Sequence, residues 1–292
     1  MSQGILRFAI ALALLFFIKL KFAPGEKLRV RDIPLLFGAG LTGVTFYFYC
    51  ENNGVNLVSP SEASIAIGAI PVFIMIADWL SAKFSDPVFL RTATITRVLG
   101  ATFIGRTLLR SALFERTKNN SHPKPGIFQW IGAFTSIAGV WLVAGVSFAL
   151  SGSIRGYVFM AGAALCWTAY SLLTRPLFKR CSRIYIVFWQ SVAGFLGFLP
   201  FSIMEFPKWG NPAMPVILHL LFLGICCSAL GYWLYAHSLE VLGMTVSAIF
   251  INMIPLVTVI FGFIINGDRL TFLQWIGAAL VIGGVYLSML KR

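Results

Sequence analysis

Apolar residues along this chain gather in long, almost uncharged runs, and the polar residues collect between them. The runs are Gly4–Leu20, Ile33–Cys50, Ala63–Leu80, Ile127–Ala149, Gly156–Leu173, Ile184–Met204, Val216–Ala236, Thr245–Ile265 and Phe272–Leu290. A helix needs about 20 predominantly apolar residues to cross the hydrocarbon core of a bilayer, and each run comes close to that. The runs are continuous and lack a period of two, which disfavours a transmembrane barrel. The pattern predicts an all-α protein, a polytopic transmembrane helical bundle of about nine spans. The first run lacks a basic leading segment and a small-residue cleavage site, and it ends in Lys19 and Lys21. It reads as a span and not as a signal peptide.

Composition agrees. Hydrophobic residues make up 58% of the 292 residues, charged residues only 11%, and the mean hydropathy is +0.85. An ordinary soluble domain carries about 25% charged residues, so a soluble globular enzyme, a disordered chain and a coiled coil are excluded. The net charge is +13, from 23 Lys and Arg against 10 Asp and Glu. In a soluble protein that excess would suggest nucleic acid; here it orients the chain. One set of connections holds Lys19, Lys21, Lys27, Arg29 and Arg31, then Lys83 through Lys124, then Arg175, Lys179, Arg180 and Arg183, and finally Lys291 and Arg292. The opposite set holds only Arg155, Lys208 and Arg269, while Arg7 lies inside the first run. The positive-inside bias assigns the basic set, and with it the C-terminus, to the cytoplasm, and leaves the N-terminus outside. The five cysteines (Cys50, Cys166, Cys181, Cys226 and Cys227) show no CxxC spacing. Free, packed thiols are expected, with no metal site and no cofactor.

The chain also repeats itself. Gln129-Trp130-Ile131-Gly132-Ala133 recurs as Gln274-Trp275-Ile276-Gly277-Ala278, and Gly139-Val140 as Gly284-Val285. Upstream, Pro71 in the third run corresponds to Pro255 in the eighth. The separation from Pro71 to Gln129 exceeds that from Pro255 to Gln274 by 39 residues, so the first copy carries an insertion. Duplicated halves with a proline inside equivalent spans suggest a transporter, in which pseudo-symmetric repeats rock about a midplane site. Each proline frees a carbonyl and kinks its helix, either as a purely structural bend or as a hinge.

In the second copy the order is Gly231-Tyr232-Trp233-Leu234-Tyr235-Ala236, then Leu242-Gly243-Met244-Thr245, then Ile254-Pro255, then Gly267-Asp268-Arg269-Leu270-Thr271, then the QWIGA run. This order resembles the EamA-type transporters of the drug/metabolite transporter superfamily. Ile5-Leu6-Arg7-Phe8-Ala9 is similar to the start of that family's second helix, and Tyr170 through Pro176 to the end of its sixth. The resemblance covers most of the chain. It implies ten helices in two inverted five-helix repeats, here residues 4–149 and 156–290, and a bacterial cytoplasmic (inner) membrane. Against that pattern the first helix is expected to be missing. The insertion, at about residues 85–125, departs from the family as well. The family's Glu-Arg turn stands as Glu115-Arg116 in the first copy and Asp268-Arg269 in the second.

Within the insertion Arg91, Arg97, Arg106 and Arg110 interleave with Val98, Leu99, Phe103, Ile104, Leu108 and Leu109. This is either an amphipathic helix on the anionic inner leaflet or a solvated loop. It is too charged to span, since a central arginine costs roughly 2.5–3.5 kcal/mol on insertion scales.

Polar side chains inside spans are few. The family's cavity helices point to Tyr47, Ser64, Trp167, Tyr170, Tyr232 and Asn252 as a lining for amphipathic metabolites or amino acids, with Pro71 and Pro255 as kinks or hinges. Read from the residues alone, Tyr47 also fits an interfacial aromatic belt, and Ser64 and Asn252 fit interhelical hydrogen-bonding. No carboxylate sits clearly at a span centre, which favours a facilitator or exchanger over a carboxylate proton relay. The expected activity is export of a small molecule across the membrane, with the lipid bilayer as the other partner. A non-transporting accessory protein and a nucleotide-sugar or sugar-phosphate carrier are alternatives. The second would need cations facing the cavity, and Arg7 is the one basic residue well inside a run. No HExxH or Ser/His/Asp arrangement supports an enzyme.

Overall fold

The computed structural model describes residues 2–84, 125–144, 153–205, 213–261, 264 and 271–290. Among them every regular element is helical. In chain order these are α1 (Ser2–Phe22), α2 (Ile33–Val55), α3 (Pro60–Gly68), α4 (Ile70–Phe84), α5 (Ile127–Ala144), α6 (Ile154–Thr174), α7 (Arg183–Glu205), α8 (Met214–Val241), α9 (Met244–Ile249), α10 (Met253–Phe261) and α11 (Phe272–Met289). Seven described segments are long and apolar enough to cross a membrane: Ile33–Val55, Glu62–Leu80, Ile127–Ala144, Ile154–Lys179, Arg183–Glu205, Met214–Val241 and Phe272–Met289. The first expected run forms α1. The eighth forms a shorter apolar segment, Met244–Val257. The arginine-bearing stretch of the insertion lies outside the described residues.

The helices end where local chemistry ends them. Ser59 and Glu62 cap α3 reciprocally: the Glu62 N–H donates to Ser59 Oγ (3.3 Å) and the Ser59 N–H to Glu62 Oε2 (2.8 Å). The two QWIGA copies share a device that their sequence identity implies. Gln129 Oε1 accepts from the Gly126 N–H, and Gln274 Oε1 accepts from the Thr271 N–H, both at 2.9 Å. Gly243, at φ +81°, makes the turn between α8 and α9, a conformation glycine adopts without a Cβ clash.

Two compact units emerge, and each takes segments from both sequence copies. The first contains described residues 2–49 and 169–241; the second contains 50–84, 125–168 and 242–290.

In the first unit α1 packs on α7 and on the middle of α8, while the first half of α2 packs on α7. Phe8, Leu15, Leu36, Tyr170, Tyr185 and Phe198 fill its core. Both α2 and α8 are interrupted by π-helical segments, Leu41–Phe46 and Leu223–Leu230. Each segment lies directly before the aromatic run of its copy, Tyr47-Phe48-Tyr49 in one and Tyr232-Trp233-Leu234-Tyr235 in the other. A π-turn re-aims the side chains that follow it, and such insertions cluster at functional sites.

In the second unit α5 and α11, the two QWIGA helices, pack on each other through their glycines. A Cβ on Gly284 would lie 2.5 Å from the Gly132 carbonyl oxygen, and one on Gly277 would lie 2.7 Å from that of Gly139. Small residues let membrane helices approach at backbone distance, where dispersion and weak polar contacts replace an absent hydrophobic drive. Met75, Ala133, Ile249 and Val285 form one buried cluster beside this pair, and Val140, Leu256 and Val281 another.

Candidate functional site

Among the described residues each unit holds a buried polar constellation near the expected lining residues. In the first it is built on tyrosines. Tyr170 on α6 is fully buried, 5.9 Å and 73° from Tyr232 and 6.0 Å and 25° from Tyr235, both on α8. The Tyr232 hydroxyl donates to the Gly43 carbonyl (2.7 Å), inside the π-helical part of α2. Gly43 leaves room for the Tyr170 ring, which a Cβ at that position would strike. Ser171 Oγ and Tyr235 OH are 3.0 Å apart, and Gln190 Nε2 donates to Thr174 Oγ1 (2.8 Å). Beyond Tyr232 an aromatic group continues through Phe8, Phe48 and Phe198, with Tyr47 edge-on to Phe48 at 5.2 Å. Arg7 borders it. Its Nε donates to Ser228 Oγ (2.8 Å) in the π-helical part of α8, and its guanidinium lies 4.6 Å from the Phe48 centroid. An arginine inside an apolar helix is thus held by a hydroxyl and an aromatic face.

In the second unit the constellation sits at helix breaks. The third expected run is cut at Ala69, between α3 and α4, just before Pro71. The eighth is cut by a 3₁₀ turn, Phe250–Asn252, just before Pro255. Proline lacks the N–H that would continue the ladder, and its ring crowds the preceding turn, so both breaks fall where the sequence puts them. The breaks are neighbours: a Cβ on Gly68 would lie 3.6 Å from Asn252 Oδ1. Asn252 is fully buried, and its Nδ2 donates to Ser136 Oγ (2.6 Å) on α5. Ser136 Oγ in turn donates to the Ala133 carbonyl (2.9 Å), which makes the Asn252 NH₂ the donor of the pair. Asn252 Oδ1 then has no partner among the described residues. A buried acceptor left open in this way costs about 1–3 kcal/mol.

Two described acids of the second unit, Glu62 and Asp78, are engaged. Glu62 Oε1 accepts from the Tyr157 hydroxyl (2.7 Å), and Thr245 Oγ1 donates to Asp78 Oδ2 (3.4 Å). Among the described residues there is no group of three or more His, Cys, Asp or Glu that could hold a metal.

Of the six expected lining residues, Tyr170 and Tyr232 are in contact, with Tyr47 in the same aromatic group. Asn252 stands at a helix break, and Ser64 and Trp167 are half-buried residues of the second unit. Sequence reasoning passed over Ser136 and Gly43. Ser136 had a signal, its place on the small-residue face with Gly132 and Gly139. Gly43 had none, because nothing local marks the π-helical segment around it.

At the basic end of the first unit, the loop after α1 is tied to the loop before α7. Arg180 Nη1 meets Asp32 Oδ1 at 2.9 Å, and Glu26 accepts from the Ser182 N–H (2.9 Å) and hydroxyl (2.8 Å). Burial, and then the Asp32 and Glu26 carboxylates, push the Cys181 thiol up to about 11. In a chain whose other four cysteines are replaced, maleimide labelling of Cys181 should keep rising about tenfold per pH unit from pH 7 past pH 9, where an ordinary thiol levels off near 8.5. A plateau below pH 9 would show an unshifted thiol.

Comparison with known proteins fits this architecture. The chain matches the EamA-like transporter family over residues 2–106 and 154–290. An uncharacterized transporter of Archaeoglobus fulgidus is 26% identical over 70% of this chain and 71% of its own. The uncharacterized transporter YetK of Bacillus subtilis is 24% identical over the whole chain and 78% of its own. A probable terminal-alkyne amino-acid exporter of Streptantibioticus cattleyicolor is 22% identical over 89% of this chain and 74% of its own. A solved crystal structure superimposes with a TM-score of 0.68 at 17% identity, covering 99% of this chain and 88% of that one, which shows a shared fold. The family and these relatives are transporters and not enzymes. With its long apolar helices, this chain is an integral, multi-pass membrane protein and belongs to the EamA-like transporter family.

Proposed function

We propose that this chain exports small metabolites or amino acids across a bacterial cytoplasmic membrane by alternating access, with its C-terminus in the cytoplasm. The observation that carries the reading is the pair of neighbouring proline-linked breaks in equivalent spans, with a buried amide between them. Discontinuous helices at a repeat interface offer backbone and amide groups to a substrate and bend between two states. Pro71 and Pro255 then act as hinges. The proposed substrate contacts are Tyr47, Tyr170 and Tyr232 within the first unit and Ser64, Trp167 and Asn252 within the second, each set taken by itself. Aromatic and amide groups suit amphipathic substrates. The engaged acids favour a facilitator or exchanger.

An export screen in cells, followed by flux in vesicles, tests this reading. Asn252→Ala and Trp167→Ala should each lower flux about tenfold with normal membrane insertion, the scale of one lost buried polar or aromatic contact. Collapsing the pH gradient should leave flux unchanged. Full flux in both variants would remove these residues from the path, and flux that dies with the pH gradient would replace facilitation with proton coupling.

A further inference from the structure

The middle of the first unit holds a cation without a counter-charge. Arg7 stands on α1, and its Nε donates to Ser228 Oγ (2.8 Å), near the midpoint of the Met214–Val241 span. Its guanidinium lies 4.6 Å from the Phe48 centroid and 5.7 Å from that of Phe8. It is therefore held between α8 and α2. Both anchors are neutral: a hydroxyl accepts one N–H and an aromatic face draws on the charge, but neither cancels it. The described acids of this unit stand elsewhere. Glu26 and Asp32 are engaged by Ser182 and Arg180, Glu240 pairs with Arg183, and Glu205 closes α7. Arg7 Nη1 and Nη2 have no partner among the described residues, and neither atom is shut away from contact in this half-buried side chain. A charge at mid-span is costly to keep and marks a ligand site by default. A neutral donor such as glutamine would serve as well if Arg7 only tied α1 to Ser228.

The surroundings decide what answers it. Phe8, Phe48 and Phe198 form an apolar aromatic face beside the guanidinium. No described carboxylate of this unit stands there to meet an ammonium, and an ammonium beside the guanidinium would be repelled. The open Nη edge of an arginine matches a carboxylate through two parallel N–H···O bonds. We propose that Arg7 determines specificity in the export path by binding the carboxylate of a monoanionic solute with an apolar body, one that needs no amine. The inference rests on the export reading for placing Arg7 on a path. It adds a preference that reading leaves open, for net negative charge on the solute.

Equilibrium dialysis of the purified full chain tests this, with labelled hydrocinnamate (phenylalanine without its amine) and labelled hydrocinnamamide (its uncharged amide). L-Phenylalanine and phenethylamine are added as competitors. In wild type, hydrocinnamate should bind about tenfold or more tighter than the amide, the scale of one charge-assisted contact. Phenylalanine should compete about tenfold less well than unlabelled hydrocinnamate, and phenethylamine should not compete. Arg7→Gln, checked for a monodisperse peak, should weaken hydrocinnamate about tenfold or more and leave the amide unchanged, which erases the preference for charge. A merely structural arginine would shift both ligands together. Ser228→Ala keeps the charge and loosens its anchor. It should weaken hydrocinnamate about fivefold and keep the preference.

Equal affinity of wild type for hydrocinnamate and its amide would overturn the proposal, whatever the variants do. Failure of hydrocinnamate to bind, a preference for the anion that survives in folded Arg7→Gln, or tighter binding of phenylalanine than of hydrocinnamate would overturn it too. Arg7-dependent binding of hydrocinnamate without its counterflow in vesicles would leave the charge site standing and count against the export reading. Counterflow of acid and amide at equal rates would keep the export reading and remove Arg7 as its selector.

Discussion

Replacing Gly139 or Gly284 by valine is expected to abolish recovery of a folded, monodisperse protein. The argument lies in what a new side chain would meet. A Cβ on Gly139 would stand 2.6 Å from the Val281 backbone nitrogen, and one on Gly284 would stand 2.7 Å from that of Ser136. Backbone inside a helix cannot rotate away as a side chain can, so α5 and α11 must separate along much of their contact. Overpacking against movable side chains already costs about 1–3 kcal/mol, and here the backbone atoms of both helices are fixed. Gly283 is the internal control: a Cβ there has nothing within 4 Å, so Gly283→Ala should behave as wild type. Size-exclusion chromatography of a fluorescent fusion reads both outcomes. A monodisperse Gly139→Val peak of normal height would mean that the two QWIGA helices do not touch through their glycines.

The second large effect belongs to the Asp32–Arg180 pair. The two side chains are 1% and 9% exposed. Removing one partner from a buried pair strands the other and costs about 3–5 kcal/mol, whereas replacing both with apolar residues is often close to neutral. Arg180→Met and Asp32→Leu should therefore each lower the thermal midpoint substantially, and the double replacement should recover most of the loss. That non-additivity is the signature of a coupled pair. Singles that match wild type, or a double whose loss is the sum of the two, would show that the contact contributes little.

The sequence made some features of this molecule legible and hid others for identifiable reasons. Length and continuity of the apolar runs marked the helices, because a bilayer leaves the backbone no alternative to internal hydrogen bonding. Pro71 and Pro255 marked the breaks, because proline's missing N–H acts locally. The QWIGA repeat marked a duplication, and its glycines hold the two copies together. Which residues share a space was harder to read. Tyr47, Tyr170 and Tyr232 fall in one compact unit while Ser64, Trp167 and Asn252 fall in the other. A helix that is apolar all round has no polar face from which to read its orientation. The π-helical segments at Leu41–Phe46 and Leu223–Leu230 were invisible for a related reason. Their contacts are with partners distant in sequence, such as Arg7 for Ser228 and Tyr232 for Gly43. The buried ion pair at the basic end was hidden behind a correct statement about charge. Lys27, Arg29 and Arg180 served as orientation signals, and only the fold shows Glu26 and Asp32 drawn in beside them.

The most direct test of the central claim is counterflow. The purified chain is placed in sealed vesicles loaded with a concentrated mixture of amphipathic amino acids, and trace labelled mixture is added outside. Exchange through an alternating-access site predicts transient accumulation of label above equilibrium, reduced by Asn252→Ala and absent from protein-free vesicles. Label entry no faster than into protein-free vesicles, with the protein inserted and folded, would contradict the account.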